Sequence, residues 1–310
     1  MATAINLKDL TEKEQLFTAG HRMCDGCGAP IAARHVLLAA EKPVVLVGST
    51  GCLEISTAAM PFTNYKVPWY HSAFENAAAI VSGIEAAYRA LRRRGRIDKD
   101  LGFIVLAGDG GSYDIGLQAL SGMLERGHRC LFVCYDNGAY MNTGIQRSGA
   151  TPYGAWTTTT YSGEAFQGKP QHRKDLTAIA AEHGAYAAQA SIHNYRDLFT
   201  KVRKALDREG ASFLNLFAPC PRGWRYDSSQ TVEISRLAVE TRFWPLFEVE
   251  ERGTRWVVNY VPRRPLPVEE FLRKQGRFEH FFQKGNRHLL EEFQREVDRK
   301  WDYLLRRAKM

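Results

Sequence analysis

The stretch GFIVLAGDGGSYDIGLQALSGMLERGHRCLFVCYDNG, residues 102–138, decides the fold. An apolar run closes on Gly-Asp-Gly-Gly, a segment with apolar residues at helical spacing follows, and a second apolar run closes on Asp-Asn-Gly. Runs this short, rich in β-branched and aromatic residues and bounded by Gly, Asp or Asn, predict buried strands over 102–109 and 130–137, with IGLQALSGMLERG as a helix between them. Working outward, VVLVGS (44–49) and SFLNLF (212–217) are strands of the same kind, while PIAARHVLLAA, FENAAAIVSGIEAAYRALRRR, KDLTAIAAEHG and YRDLFTKVRKALDREG predict helices. Strand alternating with helix predicts an α/β fold with a doubly wound, mostly parallel sheet covered on both faces. Residues 142–172 lack apolar periodicity, and a stretch of that length inside a compact domain predicts a functional loop. After residue 225 the chain turns irregular and basic and ends in a helix expected over 286–308. The reading is therefore a domain over 1–224 and a C-terminal extension over 225–310, packing on the domain or on partner subunits.

Composition narrows the function classes. With 310 residues and 45% hydrophobic content the chain can bury a substantial core. No apolar stretch approaches the ~20 residues of a membrane span, and the N-terminus MATAINLKDLTEKEQ mixes charges where a secretory leader would be apolar. No membrane association and a cytoplasmic location are expected. Six cysteines in a chain this long do not make a secreted disulfide framework, so reduced thiols or metal ligands are favoured. The net charge of +8 is concentrated in RRRGR (92–96) and the last third. Without a recognised nucleic-acid module it implies solvated helix faces or docking of an acidic protein, and no nucleic acid.

Two constellations carry chemistry. In an open parallel sheet the ligand crevice lies beyond the carboxyl ends of the strands. Gly108, Gly110 and Gly111 there allow backbone amides to approach a diphosphate, while Asp109 and Asn137, one strand-helix-strand step apart, can jointly hold the divalent ion that neutralises it. A lone GDG is a common turn; paired with this Asn it marks thiamin diphosphate binding. The second constellation is sulfur. Cys24 and Cys27 in MCDGCGAP, Cys52 in GSTGCLE and Cys220 in APCPRGW lie beside Gly and Pro residues that bend the backbone around a metal. Cys130 and Cys134, inside an apolar run, are expected to be ordinary buried thiols. Four soft thiolates suit zinc or an iron-sulfur cluster, and only the latter accepts electrons.

CDGCGAPIAARHVL, TGCLE, KVPWYHSAFENAAAIVSGIEAA, GDGGSYDIGLQALSGMLERGH, CYDNGAYMNTGIQRSGATPYGAWTTT and APCPRGW together resemble the β subunit of pyruvate:ferredoxin oxidoreductase, of the 2-oxoacid:ferredoxin oxidoreductase family, over roughly residues 18–285. The resemblance implies a thiamin diphosphate-binding fold and one 4Fe-4S cluster on Cys24, Cys27, Cys52 and Cys220. It further implies Mg²⁺ on Asp109, the Asn137 side chain and the Ala139 carbonyl, with Gly108, Gly110 and Gly111 around the diphosphate. Cys52 would also lie against the cofactor, and Asn142 would face the reacting carbon as a catalytic amide. Gly111 stands where other members carry larger residues, which implies room near the substrate. His71 and Glu75 in WYHSAFENAA have the spacing of an acid-base pair, with capping and packing as the alternative. Trp69, Trp156 and Trp224 are expected in the core or at interfaces.

The implied reaction is oxidative decarboxylation of a 2-oxoacid, pyruvate first, with 2-oxoglutarate, branched-chain 2-oxoacids or oxalate as alternatives. A zinc-stabilised interaction module is the reading outside enzymology. The carboxylate that activates thiamin in this family has no counterpart here. An α subunit is therefore expected to complete the active site, with γ and ferredoxin-like δ subunits or fused equivalents, and ferredoxin, as further partners.

Overall fold

The computed structural model describes residues 7–59, 62–163 and 165–309. Among them eight strands form one sheet: β1 (Val44–Ser49), β2 (Trp69–Ser72), β3 (Gly102–Gly108), β4 (Leu131–Asp136), β5 (Tyr186–Ser191), β6 (Ser212–Phe217), β7 (Phe247–Glu250) and β8 (Arg255–Val258). Their spatial order is β2-β1-β3-β4-β6-β5-β7-β8, parallel from β2 through β5, with β7 antiparallel to β5 and β8 antiparallel to β7. The strands read from the sequence, β1, β3, β4 and β6, are neighbours at its centre. They are the ones whose runs are apolar at nearly every position, because both faces of a parallel sheet are covered.

Alternation along each strand divides the core. Ile104 and Leu106 of β3 join a cluster with the helices Gly28–Ala39 and Tyr195–Asp207, whereas Phe103, Val105 and Ala107 face the helices Ala77–Arg93, Leu117–Glu125 and Leu176–Glu182. Successive side chains point to opposite faces, and each fully buried Leu, Ile or Phe is worth roughly 1.5–3 kcal/mol. A third cluster, around Trp224, Phe271, Phe278 and Phe293, anchors the C-terminal region. The last helix, Arg287–Lys309, spans it and the second cluster, placing Trp301 and Leu304 in the latter.

Three parts of the sheet differ from the sequence reading: the edge strand β2, β5 and the hairpin β7-β8. β5, YAAQAS, carries three alanines and a glutamine and so lacks β propensity; its place between β6 and β7 makes it a strand, and Gln189 meets burial by donating to the Pro245 carbonyl at 3.0 Å. The region after 225, read as irregular, supplies the hairpin β7-β8. Its turn holds Glu251, Arg252 and Gly253 all at positive φ, so the residues that usually announce such a turn are largely missing. No helix among the described residues is long and apolar enough to cross a membrane.

Register sets the stage for chemistry. Gly108 pairs with Tyr135, and Asp136 with Phe217, so β3, β4 and β6 end at a common edge. The chain leaves that edge through Cys52 after β1, Asp109 after β3, Asn137 after β4 and Cys220 after β6. The helix Gly28–Ala39, running back toward the start of β1, begins there too, with Cys27 at its N-cap.

Candidate functional site

Beyond the edge lies a cleft of about 510 Å³ whose walls include Cys52, Gly108, Asp109, Asn137, Ala139 and Asn142. Asp109 is 1% exposed. Its carboxylate accepts from the Ser148 hydroxyl on one oxygen and from the Asn137 backbone N–H at 3.3 Å on the other. Ser148 is fixed in turn: its N–H donates to the Thr151 hydroxyl at 2.8 Å, and that hydroxyl donates to the Gly138 carbonyl at 2.7 Å. The loop expected to be functional thus closes over the metal-type residues, and Ser148 is a site residue that the sequence reading missed. Its signal is only a serine inside a long polar segment, since its partner is 39 residues away.

The Asn137 amide oxygen stands 2.9 Å from Asp109 Oδ1 and 2.9 Å from the Ala139 carbonyl oxygen. In this orientation the amide oxygen faces two other oxygens. Rotating the amide would turn both contacts into N–H donations, whereas a divalent cation would hold the oxygens as they stand. Mg²⁺ binds oxygen at about 2.0–2.1 Å in an octahedron, whose adjacent ligands lie about 2.9 Å apart. Burial first, and then the charge of Asp136, push the Asp109 carboxyl up to about 8, the situation a bound cation reverses. Asp136 is itself paired: Arg173 and the Tyr113 hydroxyl both donate to its Oδ2.

The glycines divide by role. Gly108 and Gly110 line the cleft, and a Cβ on Gly110 would meet the Tyr140 ring at 2.6 Å. Gly111 lies behind that wall; its Cβ would sit 3.0 Å from Ser49 Oγ and 3.2 Å from the Phe74 carbonyl oxygen, so the room expected there is taken by the end of β1 and the segment that follows β2. Gly110–Asp114 forms a π-helical turn, a distortion frequent at functional sites.

The four loop cysteines gather at the same edge. Cys27 N–H donates to the Cys24 carbonyl at 3.2 Å around Gly26, which takes φ 64°, and Gly28 N–H donates to the Pro219 carbonyl at 3.0 Å, tying this turn to the segment that carries Cys220. Burial first, and after it the charges of Cys220, Cys52 and Cys24, push the Cys27 thiol up to about 12. Burial does the same to Cys220, up to about 11, with Cys52 and Cys24 adding to it against the Gly223 N–H that its sulfur accepts at 3.3 Å. Burial likewise raises Cys52, opposed by the Asn142 amide that hydrogen-bonds its sulfur. The thiols are near enough to sense one another, yet among the described residues no three His, Cys, Asp or Glu side chains close around a single-ion position. Cys130 and Cys134 are buried, as expected of core thiols.

A Cβ on Gly28 would lie 2.7 Å from the Ala218 carbonyl carbon and 2.8 Å from the Pro219 oxygen, backbone atoms that cannot yield. Gly28→Ala is expected to cost about 1–3 kcal/mol through overpacking, seen as a lowered denaturant midpoint with an unchanged slope.

His71 pairs differently from the sequence reading. It lies in edge strand β2, not on a helix with Glu75, and its Nδ1 sits 2.8 Å from Oε1 of the buried Glu54. Trp224 is in the core, as expected, but also works: its indole N–H donates to the Asn137 carbonyl at 2.6 Å.

Residues 49–216 match the family model described as thiamine pyrophosphate enzyme, C-terminal TPP binding domain. The chain is 51% identical to pyruvate synthase subunit PorB of Thermotoga maritima, over 97% of this chain and 96% of that one. It is 43% identical to ketoisovalerate oxidoreductase subunit VorB of Pyrococcus abyssi, over 96% and 94%. A solved 2-oxoglutarate:ferredoxin oxidoreductase from Magnetococcus marinus superposes with a TM-score of 0.56 at 20% identity, over 76% of this chain and 81% of that one, a likeness of fold.

Proposed function

Because the chain belongs to the family of pyruvate synthase PorB subunits and carries their thiamine pyrophosphate-binding domain, we propose that it is the β subunit of a 2-oxoacid:ferredoxin oxidoreductase of the cytoplasm. The reaction converts pyruvate and coenzyme A into acetyl-CoA, carbon dioxide, a proton and two electrons, the electrons leaving for ferredoxin. One observation carries the reading: a single sheet edge gathers Asp109, Asn137 and Ala139 in one cleft with Cys52, and Cys52 in turn lies within electrostatic reach of Cys24 and Asn142.

When bound, thiamin diphosphate would supply the electron sink for decarboxylation, and a 4Fe-4S cluster the one-electron outlet. Asp109, Asn137 and Ala139 would hold the Mg²⁺ of the diphosphate, with Ser148 fixing the carboxylate so that its other oxygen faces the ion. Cys24, Cys27, Cys52 and Cys220 would ligate the cluster. Zinc would also suit four thiolates, but it accepts no electrons, and the adjacency of Cys52 to the cleft favours a cluster. Asn142 lines the cleft with Cys52 and would orient the substrate carbonyl.

Pyruvate is favoured by the identity to PorB, with branched-chain 2-oxoacids next through VorB. An α subunit would supply the carboxylate that activates thiamin; γ and ferredoxin-like δ subunits, or fused equivalents, would complete the complex. The test is reduction of a viologen dye under anaerobic conditions. The isolated chain should be brown, with broad absorption at about 400 nm, bind thiamin diphosphate with Mg²⁺, and show no turnover until the α subunit is added. Turnover by the chain alone, or a colourless protein with stoichiometric zinc, would overturn the proposal.

A further inference from the structure

Arg277 is a cation sealed in the interior without a carboxylate of its own. It is 2% exposed, and its Nε donates to Gln275 Oε1 at 2.9 Å. The guanidinium carbon lies 3.7 Å from the centre of the Trp224 ring. A Cβ on Gly138 would come within 3.1 Å of Arg277 Nη1, so the charge abuts the turn between Asn137 and Ala139. The nearest acid, Asp136, already pairs with Arg173, and among the described residues the Arg277 guanidinium forms no ion pair.

Trp224, the ring under this charge, joins both halves of the site. Its backbone N–H donates to the Cys220 carbonyl at 3.0 Å and its indole N–H to the Asn137 carbonyl at 2.6 Å. Gly276 N–H donates to the Arg225 carbonyl at 3.1 Å, clamping the Arg277 segment to the turn that follows Cys220. Burial first pushes the guanidinium down, to about 9, while Asp136 and, less strongly, Cys220 pull it back. A buried cation with no ion pair of its own is expensive unless a nearby anion compensates it, and the acid that acts on it, Asp136, is shared with Arg173.

We propose that Arg277 is a positioning residue that sets the reduction potential of the centre held by Cys24, Cys27, Cys52 and Cys220, its fixed positive charge favouring the reduced state. This rests on the cluster reading above. Four thiolates around an iron-sulfur core leave a net negative charge, and reduction adds one more electron to it. A permanent cation in a poorly screened interior stabilises the reduced form more than the oxidised form. Removing it should make the centre a poorer electron acceptor.

The test is a redox titration of the whole complex followed by electron paramagnetic resonance. The signal of this centre is identified as the one missing from Cys220→Ala. Arg277→Gln should shift its midpoint to more negative potential, and Arg277→Lys, which keeps the charge, should lie closer to the parent. Arg277→Met, neutral and of similar length, replaces the Gln variant if that one does not assemble. Identical midpoints in the neutral variant and the parent would overturn the proposal, as would an equal shift in Arg277→Lys, which would point to packing. A parent chain whose metal is zinc would remove the cluster reading itself and the proposal with it.

Discussion

Asp109→Asn is expected to abolish 2-oxoacid-dependent dye reduction by the assembled complex and Mg²⁺-dependent binding of thiamin diphosphate by the chain. Asp109 is the only ionisable side chain among the three groups that would hold the ion. Indirect partners of a metal already contribute 10–100-fold in affinity, so losing a charged ligand should cost on the order of 10³-fold or more, about 4 kcal/mol. Titration calorimetry with Mg²⁺ present reads it. The pH dependence gives a second arm. Burial and the Asp136 charge push the Asp109 carboxyl up to about 8, and a metal ligand must be deprotonated. Protons therefore compete below that value, and parent affinity should rise by roughly tenfold per pH unit up to about pH 8, then level off. Retained affinity in Asp109→Asn, or a pH-independent parent, would remove Asp109 from the metal site. Asn at this position also relieves a buried carboxylate beside Asp136, so the cofactor-free variant should melt no lower than the parent while losing the thermal shift that Mg²⁺ and thiamin diphosphate confer together.

The residues that proved legible in the sequence are those whose role is announced locally. Asp109 and Asn137 each end an apolar run, and the parallel sheet brings such ends together whatever lies between them. The cysteines are marked by glycines that the local geometry requires, since Gly26 takes a positive φ and Gly28 lets two backbones touch. Ser148, Arg173 and Arg277 gave no such sign. Each meets a partner far along the chain, Asp109, Asp136 or Trp224, and nothing in the neighbouring residues encodes that meeting. The same distinction explains β5, whose alanines become a strand only between β6 and β7, and His71, whose carboxylate partner is Glu54 and not the nearby Glu75. Local patterning fixed the frame, and long-range contacts fixed the electrostatics within it.

Cys27→Ala should separate electron transfer from cofactor binding. Cys27 occupies the N-cap of Gly28–Ala39 but makes no side-chain capping bond, so alanine removes little from the helix itself. The loss instead falls on the thiol set. Burial and the three neighbouring sulfurs hold the Cys27 proton in place up to about 12, so at neutral pH the group becomes a thiolate only when a metal takes the proton's place. The variant should lose its brown colour and most of its iron. Dye reduction by the complex should fall at least ~10³-fold, about 4 kcal/mol of transition-state stabilisation, while thiamin diphosphate affinity stays within a few-fold, because Asp109, Asn137 and Ala139 are untouched. A non-redox thiamin enzyme would keep its turnover, since its chemistry asks nothing of these sulfurs. A zinc-stabilised module would instead lose stability without any visible band having been present. Only an oxidative enzyme loses turnover and colour together while keeping its hold on the diphosphate, and that combination ties the four thiols to the path by which electrons leave the substrate.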